Sequence, residues 1–278
     1  MAPTRRSNLE KIVERLARHY GPPAPPITND PFELILFETV AYLATDERRE
    51  EAFKLLRQSV GTRPQEILTA PKQELVRVTT LGGIAADLRA TRLREIALIA
   101  TTEFGGDLRN ALKLPLAKAK LALRKFPSIG EPGAEKILLF TRTYAVAALD
   151  SNGLRVLMRL GFGEEKKSYT ASYRSAQEAI AKQLVSDYDW LIRAHLLLRR
   201  HGKELCKTTK PRCDDCPVRN SCAFFNRVRP RRVGVATGSR IQSKSRSPSD
   251  PVATAPGSDT ALHDQAQSHN QIKDHHHF

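Results

Sequence analysis

All four cysteines of this 278-residue chain lie within the segment "CKTTKPRCDDCPVRNSC". They are Cys206, Cys213, Cys216 and Cys222, with the spacing C-x6-C-x2-C-x5-C. Clustered thiols form disulfides or, as thiolates, bind metal. The N-terminal segment lacks the apolar run of a secretion signal, so we expect an intracellular protein, in which disulfides are rare. Structural zinc sites usually have two separated C-x2-C pairs, and only one is present, so the loop favours an iron–sulfur cluster over the zinc alternative.

Two acidic residues are candidates for acid–base chemistry. Glu38 lies among apolar residues in "PFELILFETVAYLATD". Burial raises the pKa of a carboxyl group, which would suit a general acid near neutral pH, whereas the alternative is an exposed glutamate at the edge of a helix. Asp150 follows an apolar run in "ALDSNGLRVLMRLG" and is suited to cap the helix that begins there.

The elements that must position these residues are helices. Apolar residues recur at helical spacing along most of the chain, no segment alternates with period two, and the predicted fold is therefore all-α. The predicted helix starts are Ser7 with Glu10, Asp30 with Pro31 and with Glu33 completing a capping box, and Ser186 with Asp189, in a helix that ends at Gly202. The segments "PLAKAKLALRKFP" and "GAEKILLFTRTYAVAAL" are predicted to form a helix pair across a short break.

The charge balance favours a polyanionic partner. The chain has 45 Lys and Arg against 30 Asp and Glu, a net charge of +15. Residues 227–278 hold eight Lys and Arg and four Asp and Glu, so the remainder keeps +11. A basic body favours nucleic acid binding, although a soluble protein that is merely cationic is the alternative. Residues 227–278 are rich in Arg, Ser, Pro and Gly, which predicts a disordered basic tail. No apolar run is long enough to span a membrane.

Three segments together resemble the endonuclease III branch of the helix-hairpin-helix DNA glycosylases. They are the cysteine loop with its lead-in "RRHGKELC", the segment "LRKFPSIGEPGAEKILL" and the segment around Asp150. The resemblance covers about residues 8–225. It implies two helical domains with a DNA-binding cleft between them and a [4Fe–4S] cluster on the four cysteines. The implied domains are a helical barrel at 30–143, which contains the hairpin, and an iron–sulfur domain formed by 1–29 and 144–226.

The hairpin resembles the family's phosphate-binding turn with two differences. Ser128 replaces the first family glycine, Gly130 matches the second, and backbone N–H groups at such a turn bind phosphate. Pro132 occupies the position of the lysine that forms a Schiff base in bifunctional members, so imine-based lyase activity is disfavoured. Lys136, one turn further, is a possible alternative nucleophile, although a surface or phosphate-binding role is the more ordinary interpretation.

The resemblance also assigns residues around the acids. It implies that Asp150 is the catalytic aspartate, and Arg155 matches the family arginine. Asn152 and Glu38 match the residue types of the monofunctional adenine and mismatched-thymine branches. Further DNA contacts are expected from the apolar wedge candidates Leu43, Leu81 and Ile84 and from the loop cations Lys207, Lys210, Arg212 and Arg219. The alternative for the cations is that they are merely solvated.

These observations predict a monomeric, monofunctional DNA glycosylase that removes a damaged or mismatched base from double-stranded DNA. Glu38 would protonate or hydrogen-bond the departing base, and Asp150 would stabilise the sugar cation. The alternatives are a glycosylase with lyase activity through Lys136 and a non-catalytic protein that binds damaged DNA. We expect a cytoplasmic, nucleoid-associated location in a bacterium or archaeon and a nuclear one in a eukaryote.

Overall fold

The structure, a computed structural model, describes residues 7–228 and is all-α, as predicted. Within these residues the only pairing of extended backbone is an isolated bridge between Tyr42 and Gly83. The α-helices are α1 (Asn8–Tyr20), α2 (Pro31–Thr39), α3 (Asp46–Ser59), α4 (Pro64–Thr69), α5 (Lys72–Leu81), α6 (Ala86–Phe104), α7 (Arg109–Leu112), α8 (Leu116–Leu123), α9 (Glu131–Phe140), α10 (Ser151–Leu160), α11 (Tyr169–Ile180), α12 (Tyr188–Glu204) and α13 (Ala223–Val228). Short 3-10 helices lie at Ala181–Gln183 and Arg219–Ser221. None of the described helices is both long and apolar enough to cross a membrane.

The first predicted helix start is confirmed. The Ser7 hydroxyl accepts from the Glu10 backbone N–H at 3.2 Å, and the Glu10 carboxylate accepts from the Ser7 N–H at 2.7 Å. Four apolar side chains of α1 are buried on one stripe, as the spacing predicted: Leu9, Ile12, Val13 and Leu16. The local pattern was therefore sufficient here, because a capping box involves groups only three residues apart.

Three details of the other predicted helix ends are wrong. Asp30 caps α2, accepting from the Glu33 N–H at 3.0 Å, but the Glu33 side chain does not complete a box. Its carboxylate instead pairs with Arg57 at 2.6 Å, a partner on α3. Helix α12 is capped by Asp187, whose side chain accepts from the Trp190 N–H at 2.7 Å, rather than by Ser186, and it continues to Glu204 instead of ending at Gly202.

The hairpin pair α8 and α9 is present, but α9 is shorter than predicted. It ends at Phe140, and residues 141–150 form no helix. Arg142 takes a left-handed conformation with φ of +54°, and the N–H groups of Thr143 and Tyr144 both donate to the Leu138 carbonyl. This turn ends the helix and leads the chain to Asp150 in an extended course.

The helices form two sets of contacts joined by α9. Helices α2 to α6 pack against one another, α1 and α10 to α13 form the second set, and α9 contacts α2, α8 and α12. The described residues belong to one compact unit, so the division at 30–143 remains a prediction. The predicted disordered tail begins too early, because Arg227 and Val228 belong to α13. Residues 229–278 lie outside the described part of the chain.

Candidate functional site

Asp150 lies at the N-terminus of α10, where its carboxylate has three neighbours. Oδ1 accepts from the Gly153 N–H at 2.7 Å, which confirms the predicted cap. Oδ2 accepts from Asn152 Nδ2 at 3.3 Å and lies 3.4 Å from Nε of Arg199. The side chain is 23% exposed, so the carboxylate is held in a fixed position yet remains accessible to a ligand.

Asp150 is also connected to the cysteine loop. Arg155 donates from Nη2 to Asn152 Oδ1 at 2.8 Å and from Nε to the Cys206 carbonyl at 2.9 Å. A further bond joins Arg155 Nη2 to the Gly202 carbonyl at 2.8 Å. A continuous chain of hydrogen bonds therefore runs from the backbone of the first cysteine to the carboxylate.

Arg199, on α12, brings the two candidate acids into one electrostatic environment. Its guanidinium forms a two-point ion pair with Asp46, to which Lys203 also binds. Burial acts to lower the pKa of Arg199, but Asp46, Asp150 and Glu38 together raise it. Burial likewise acts to raise the pKa of Asp46, but Arg199 and Lys203 hold it well below its usual range. Nothing in the sequence pattern indicated Arg199, because it lies among the leucines of an ordinary amphipathic helix.

Glu38 is ionised, and it is not the protonated general acid that the sequence predicted. Its Oε1 lies 2.7 Å from Lys136 Nζ and 3.8 Å from Arg49 Nη1. Burial acts to raise the pKa of Glu38, as expected from its apolar neighbours, but Lys136 and Arg49 outweigh it and the pKa is lowered. The predicted raised pKa is therefore wrong. Lys136 is 18% exposed and ion-paired, so it is not the freely exposed surface lysine of the ordinary interpretation.

A buried histidine completes the surroundings. His195 donates from Nδ1 to the Ala148 carbonyl at 2.9 Å and packs edge-on against Phe140. Burial lowers the pKa of His195, and Lys136 adds to this, whereas Asp150 opposes it. His195 is therefore neutral at neutral pH and holds the backbone just before Asp150. Sequence reasoning missed it.

The hairpin places Ser128 in a conformation that favours glycine. Ser128 has φ of +72°, and Gly130 caps α9 without a side-chain hydrogen bond. A non-glycine residue in the left-handed region is strained, which explains the glycine at this position in the family motif. Arg92 Nη1 donates to the exposed Ser128 Oγ at 3.4 Å, which brings a cation to the turn.

The three wedge candidates lie on two neighbouring segments that form one apolar ridge with Tyr42. The exposed fractions are 76% for Leu43, 39% for Leu81, 56% for Ile84 and 54% for Tyr42. The segments are joined by the bridge between Tyr42 and Gly83, and the Tyr42 N–H donates to the Gly82 carbonyl at 2.9 Å. Large apolar side chains this exposed are candidates for an interaction surface. Tyr42 was not among the residues predicted.

A buried arginine holds this ridge together. Arg89 donates to the carbonyls of Thr79 and Gly83 at 2.7 Å each, to that of Ile84 at 2.8 Å and to that of Val40. Its side chain has no acidic partner among these bonds, and burial lowers the pKa of Arg89. One guanidinium thus ties the end of α2 to the turn that follows α5.

The cysteine loop surrounds one cavity, and all four cysteines line it. Burial raises the pKa of Cys216 to about 11, and the neighbouring thiols of Cys206, Cys222 and Cys213 add to this shift. No three His, Cys, Asp or Glu side chains in the described residues are arranged to hold a single metal ion. Arg159 Nη1 donates to Cys206 Sγ at 3.4 Å, and His201 Nε2 lies 3.5 Å from Cys216 Sγ. N–H groups directed at sulfur suit thiolates bound to a cluster.

The predicted phosphate-binding cations of the loop differ in their surroundings. Lys207 and Lys210 are exposed. Arg212 is exposed but pairs with Asp215 at 2.8 Å, and Arg219 donates to the Asp214 carbonyl at 2.7 Å. Of these four, the two lysines are therefore the better candidates for phosphate contacts.

The sequence is similar to known DNA repair proteins. It is 26% identical to Endonuclease III of Thermotoga maritima over 217 residues, which covers 78% of this chain and 91% of that protein. It is also 26% identical to Thymine-DNA glycosylase of Aeropyrum pernix over 167 residues, covering 59% and 69% of the two chains. No protein-family model matches the chain.

The fold is shared with solved structures of the same two kinds of protein. A trapped covalent intermediate of endonuclease III with DNA superimposes with a TM-score of 0.63 at 20% identity, covering 79% of this chain and 96% of that one. A thermostable thymine-DNA glycosylase superimposes with a TM-score of 0.63 at 18% identity, covering 79% and 97%. In sequence and in fold, this chain is therefore similar to the endonuclease III-like, helix-hairpin-helix DNA glycosylases, and its cysteine loop agrees with that similarity.

Proposed function

We propose that this protein is a DNA glycosylase that releases a damaged or mismatched base from double-stranded DNA and leaves the strand intact. The main support is the position of Asp150, a carboxylate held by hydrogen bonds and 3.4 Å from Arg199. Arg199 also interacts electrostatically with Glu38, the second candidate acid. Of the names of its relatives, Thymine-DNA glycosylase agrees with base removal from DNA, and Endonuclease III agrees with a nucleic acid substrate. The net charge of +15 suits a polyanionic substrate.

The target nucleotide must leave the helix before its base can be removed. Extrusion costs a few kcal/mol, and the cost is least at a mismatch or lesion. In our proposal the ridge of Tyr42, Leu43, Leu81 and Ile84 fills the space that the nucleotide vacates, because apolar side chains replace lost base stacking. The hairpin around Ser128 and Gly130, and the exposed Lys207 and Lys210, bind the phosphates on either side of the site.

Asp150 acts on the sugar in this proposal. Cleavage of a base–sugar bond develops positive charge on the ring, and a fixed carboxylate stabilises that charge without reorganising. The Gly153 N–H and the Asn152 amide hold the Asp150 oxygens in place. The same carboxylate is suited to orient the water that attacks C1′.

We also propose that the four cysteines hold a [4Fe–4S] cluster with a structural role. The shared cavity and the donors near Cys206 and Cys216 fit such a group, which supplies rigidity to the loop that carries Lys207 and Lys210. Arg155 passes that rigidity to Asp150 through Asn152. Metal analysis of protein purified without oxygen tests this proposal: about four iron atoms per chain support it, and one zinc per chain contradicts it.

A glycosylase with lyase activity is the second candidate. Lyase activity needs an amine in the active site, and Lys136 lies beside the candidate site residue Glu38 instead of projecting into solvent. An amine nucleophile needs a free lone pair to attack C1′, whereas the Lys136 amine is engaged by the Glu38 carboxylate at 2.7 Å. We therefore favour the monofunctional reaction. Borohydride trapping on abasic DNA separates the two, since only an imine gives a covalent adduct.

The central experiment is Asp150→Asn, assayed on duplexes with uracil, thymine or oxidised bases opposite guanine. Asparagine preserves the cap, so the variant should fold, yet base release should fall by about 100-fold or more. Asp187→Asn is the matched control, because Asp187 caps α12 in the same way and should retain full activity. Undiminished base release by Asp150→Asn would refute its assigned role. Tight binding of abasic DNA by wild-type protein, with no base release from any duplex, would instead identify a non-catalytic damage sensor.

A further inference from the structure

The pair formed by Glu38 and Lys136 has an excess of positive charge around it. Lys136 Nζ lies 2.7 Å from Glu38 Oε1, and Arg49 Nη1 lies 3.8 Å from the same oxygen. Two cations against one carboxylate leave one unit of positive charge. Within the described residues, the buried Nε of Arg49 has no hydrogen-bond partner, so Arg49 contributes charge near Glu38 without a second acceptor at that nitrogen.

The group also lacks a good proton donor for a departing base. Glu38 is ionised, because Lys136 and Arg49 lower its pKa in spite of burial. His195 is neutral, since burial lowers its pKa and its Nδ1–H is already donated to the Ala148 carbonyl. Of Glu38, Lys136 and His195, only Lys136 offers both a positive charge and N–H groups, and its side chain remains 18% exposed.

The chemistry of base release separates two kinds of substrate. A purine leaves readily only after a ring nitrogen is protonated, which needs an acid. A pyrimidine such as uracil or thymine departs as an anion: the C1′–N1 bond breaks, and its electron pair stays on N1 and spreads to the O2 and O4 oxygens. Water then adds to C1′ and loses its proton to solvent, and the anion later takes a proton from water. A fixed cation accelerates this reaction by stabilising the charge as it develops.

We propose that Lys136, positioned by Glu38, contacts the departing base and stabilises it as an anion, so that the site accepts pyrimidines with a stable N1 anion and does not accept purines that must be protonated. This role rests on the proposed glycosylase function. It also differs from the role expected for Glu38, which was to protonate or hydrogen-bond the departing base itself. Glu38 is a positioning residue, and Lys136 is the catalytic residue that faces the base. Arg49 is a less suitable contact, because its Nε is buried and its guanidinium lies over the Phe37 ring, 5.6 Å from the centroid.

The test uses the dependence of the rate on the leaving base. Single-turnover release of uracil and of 5-fluorouracil, each opposite guanine, is measured for the full-length protein and for Lys136→Met. Fluorine stabilises the anion, so 5-fluorouracil needs less help from a cation. We expect Lys136→Met to slow uracil release by about 100-fold and 5-fluorouracil release by about 10-fold or less. A merely structural loss would slow both equally, and an equal loss overturns the proposal.

Two further variants sharpen the measurement. Lys120→Met is the matched control, because Lys120 is also partly buried and paired with carboxylates, at 2.6 Å from Glu131 and 2.7 Å from Glu135, but on α8. It should change neither the ratio of the two rates nor the preference for pyrimidines. Glu38→Gln keeps the Lys136 ammonium group but removes the carboxylate that holds it in position. Uracil release should therefore fall more than 5-fluorouracil release. If Lys136→Met does not fold, Lys136→Gln, which also removes the positive charge, and Glu38→Gln carry the same comparison.

The substrate panel separates failure of this proposal from failure of the proposed function. No base release from any duplex by wild-type protein removes the glycosylase function. Release of adenine or another purine, with uracil and thymine left intact, retains that function and overturns the role of Lys136. A borohydride adduct that disappears in Lys136→Met also overturns it, because the amine would then be attacking C1′ rather than stabilising the base.

Discussion

Replacing Arg89 by methionine removes the group that joins the two segments of the apolar ridge. Four backbone carbonyls lose the hydrogen bond from Arg89. One of them, the Thr79 carbonyl, still accepts a hydrogen bond from the Gly82 N–H at 3.0 Å. At about 1 kcal/mol net for each of the other three, the loss is about 3 kcal/mol. Methionine avoids burying an unpaired charge, which offsets part of the loss, so we expect destabilisation of about 2–3 kcal/mol.

The effect should be concentrated at the ridge. The Tyr42 N–H donates to the Gly82 carbonyl, and its hydrogen exchange reports opening of the bridge directly. We expect faster exchange there than in α12 and a lower free energy of unfolding in urea. Base release should also slow, because a mobile ridge fills the vacated base stack poorly. Arg48→Met, an exposed substitution on α3, is the control and should change neither quantity.

Two results would refute this reasoning about Arg89. A loss of stability below about 0.5 kcal/mol would mean that water or neighbouring N–H groups replace the guanidinium without cost. Unchanged exchange at Tyr42, with a large global destabilisation, would mean that Arg89 supports the core of the α5–α6 pair rather than the ridge.

Three further outcomes follow from the site. Ser128→Gly relieves a left-handed conformation and should raise thermal stability by about 0.5–1 kcal/mol, with duplex affinity equal or greater, as measured by melting and by binding titration. Arg155→Met breaks the connection between the cysteine loop and Asp150, so base release should fall by about 10- to 100-fold while iron content stays unchanged. Ion pairs with Arg199 and Lys203 lower the pKa of Asp46 in the folded protein. They therefore stabilise the fold at pH values above the unfolded pKa of about 3.9, and this stabilisation is lost as the pH falls below that value. Asp46→Asn should therefore cost about 1 kcal/mol at pH 7, after allowance for partial exposure, and progressively less in acid, as measured by urea unfolding.

The features that could be predicted from the sequence are those formed over a few residues. The Ser7 capping box and the Asp150 cap each depend on groups within about one helical turn. Local patterns also identified the all-α class, because amphipathic periodicity is a property of each helix alone. The errors at Glu33 and Ser186 arose where a competing partner was available, a distant arginine in one case and the adjacent aspartate in the other.

The features that could not be predicted depend on contacts between distant segments. Arg89 appears in the sequence as one of several charged residues on α6, and nothing local shows that it reaches the Val40 carbonyl at the end of α2. Tyr42 lies next to a predicted wedge residue, but its position depends on the bridge to Gly83. Arg199 likewise acquires its role only because α3 brings Asp46 to one side of it and α10 brings Asp150 to the other.

Glu38 shows why a correct local environment can still predict the wrong chemistry. Its neighbours on α2 are apolar, and the burial that they imply does act to raise the pKa. The sign of the shift is decided by Lys136 on α9 and Arg49 on α3, since a charge within a few ångströms in a partly buried site outweighs partial desolvation. A carboxylate that is ionised by its partners cannot be the acid in the reaction, but it can hold an ammonium group in place. Under our proposal, an ammonium group held in this way beside an ionised Glu38 favours a base that departs as an anion, and the comparison of uracil with purine release tests this.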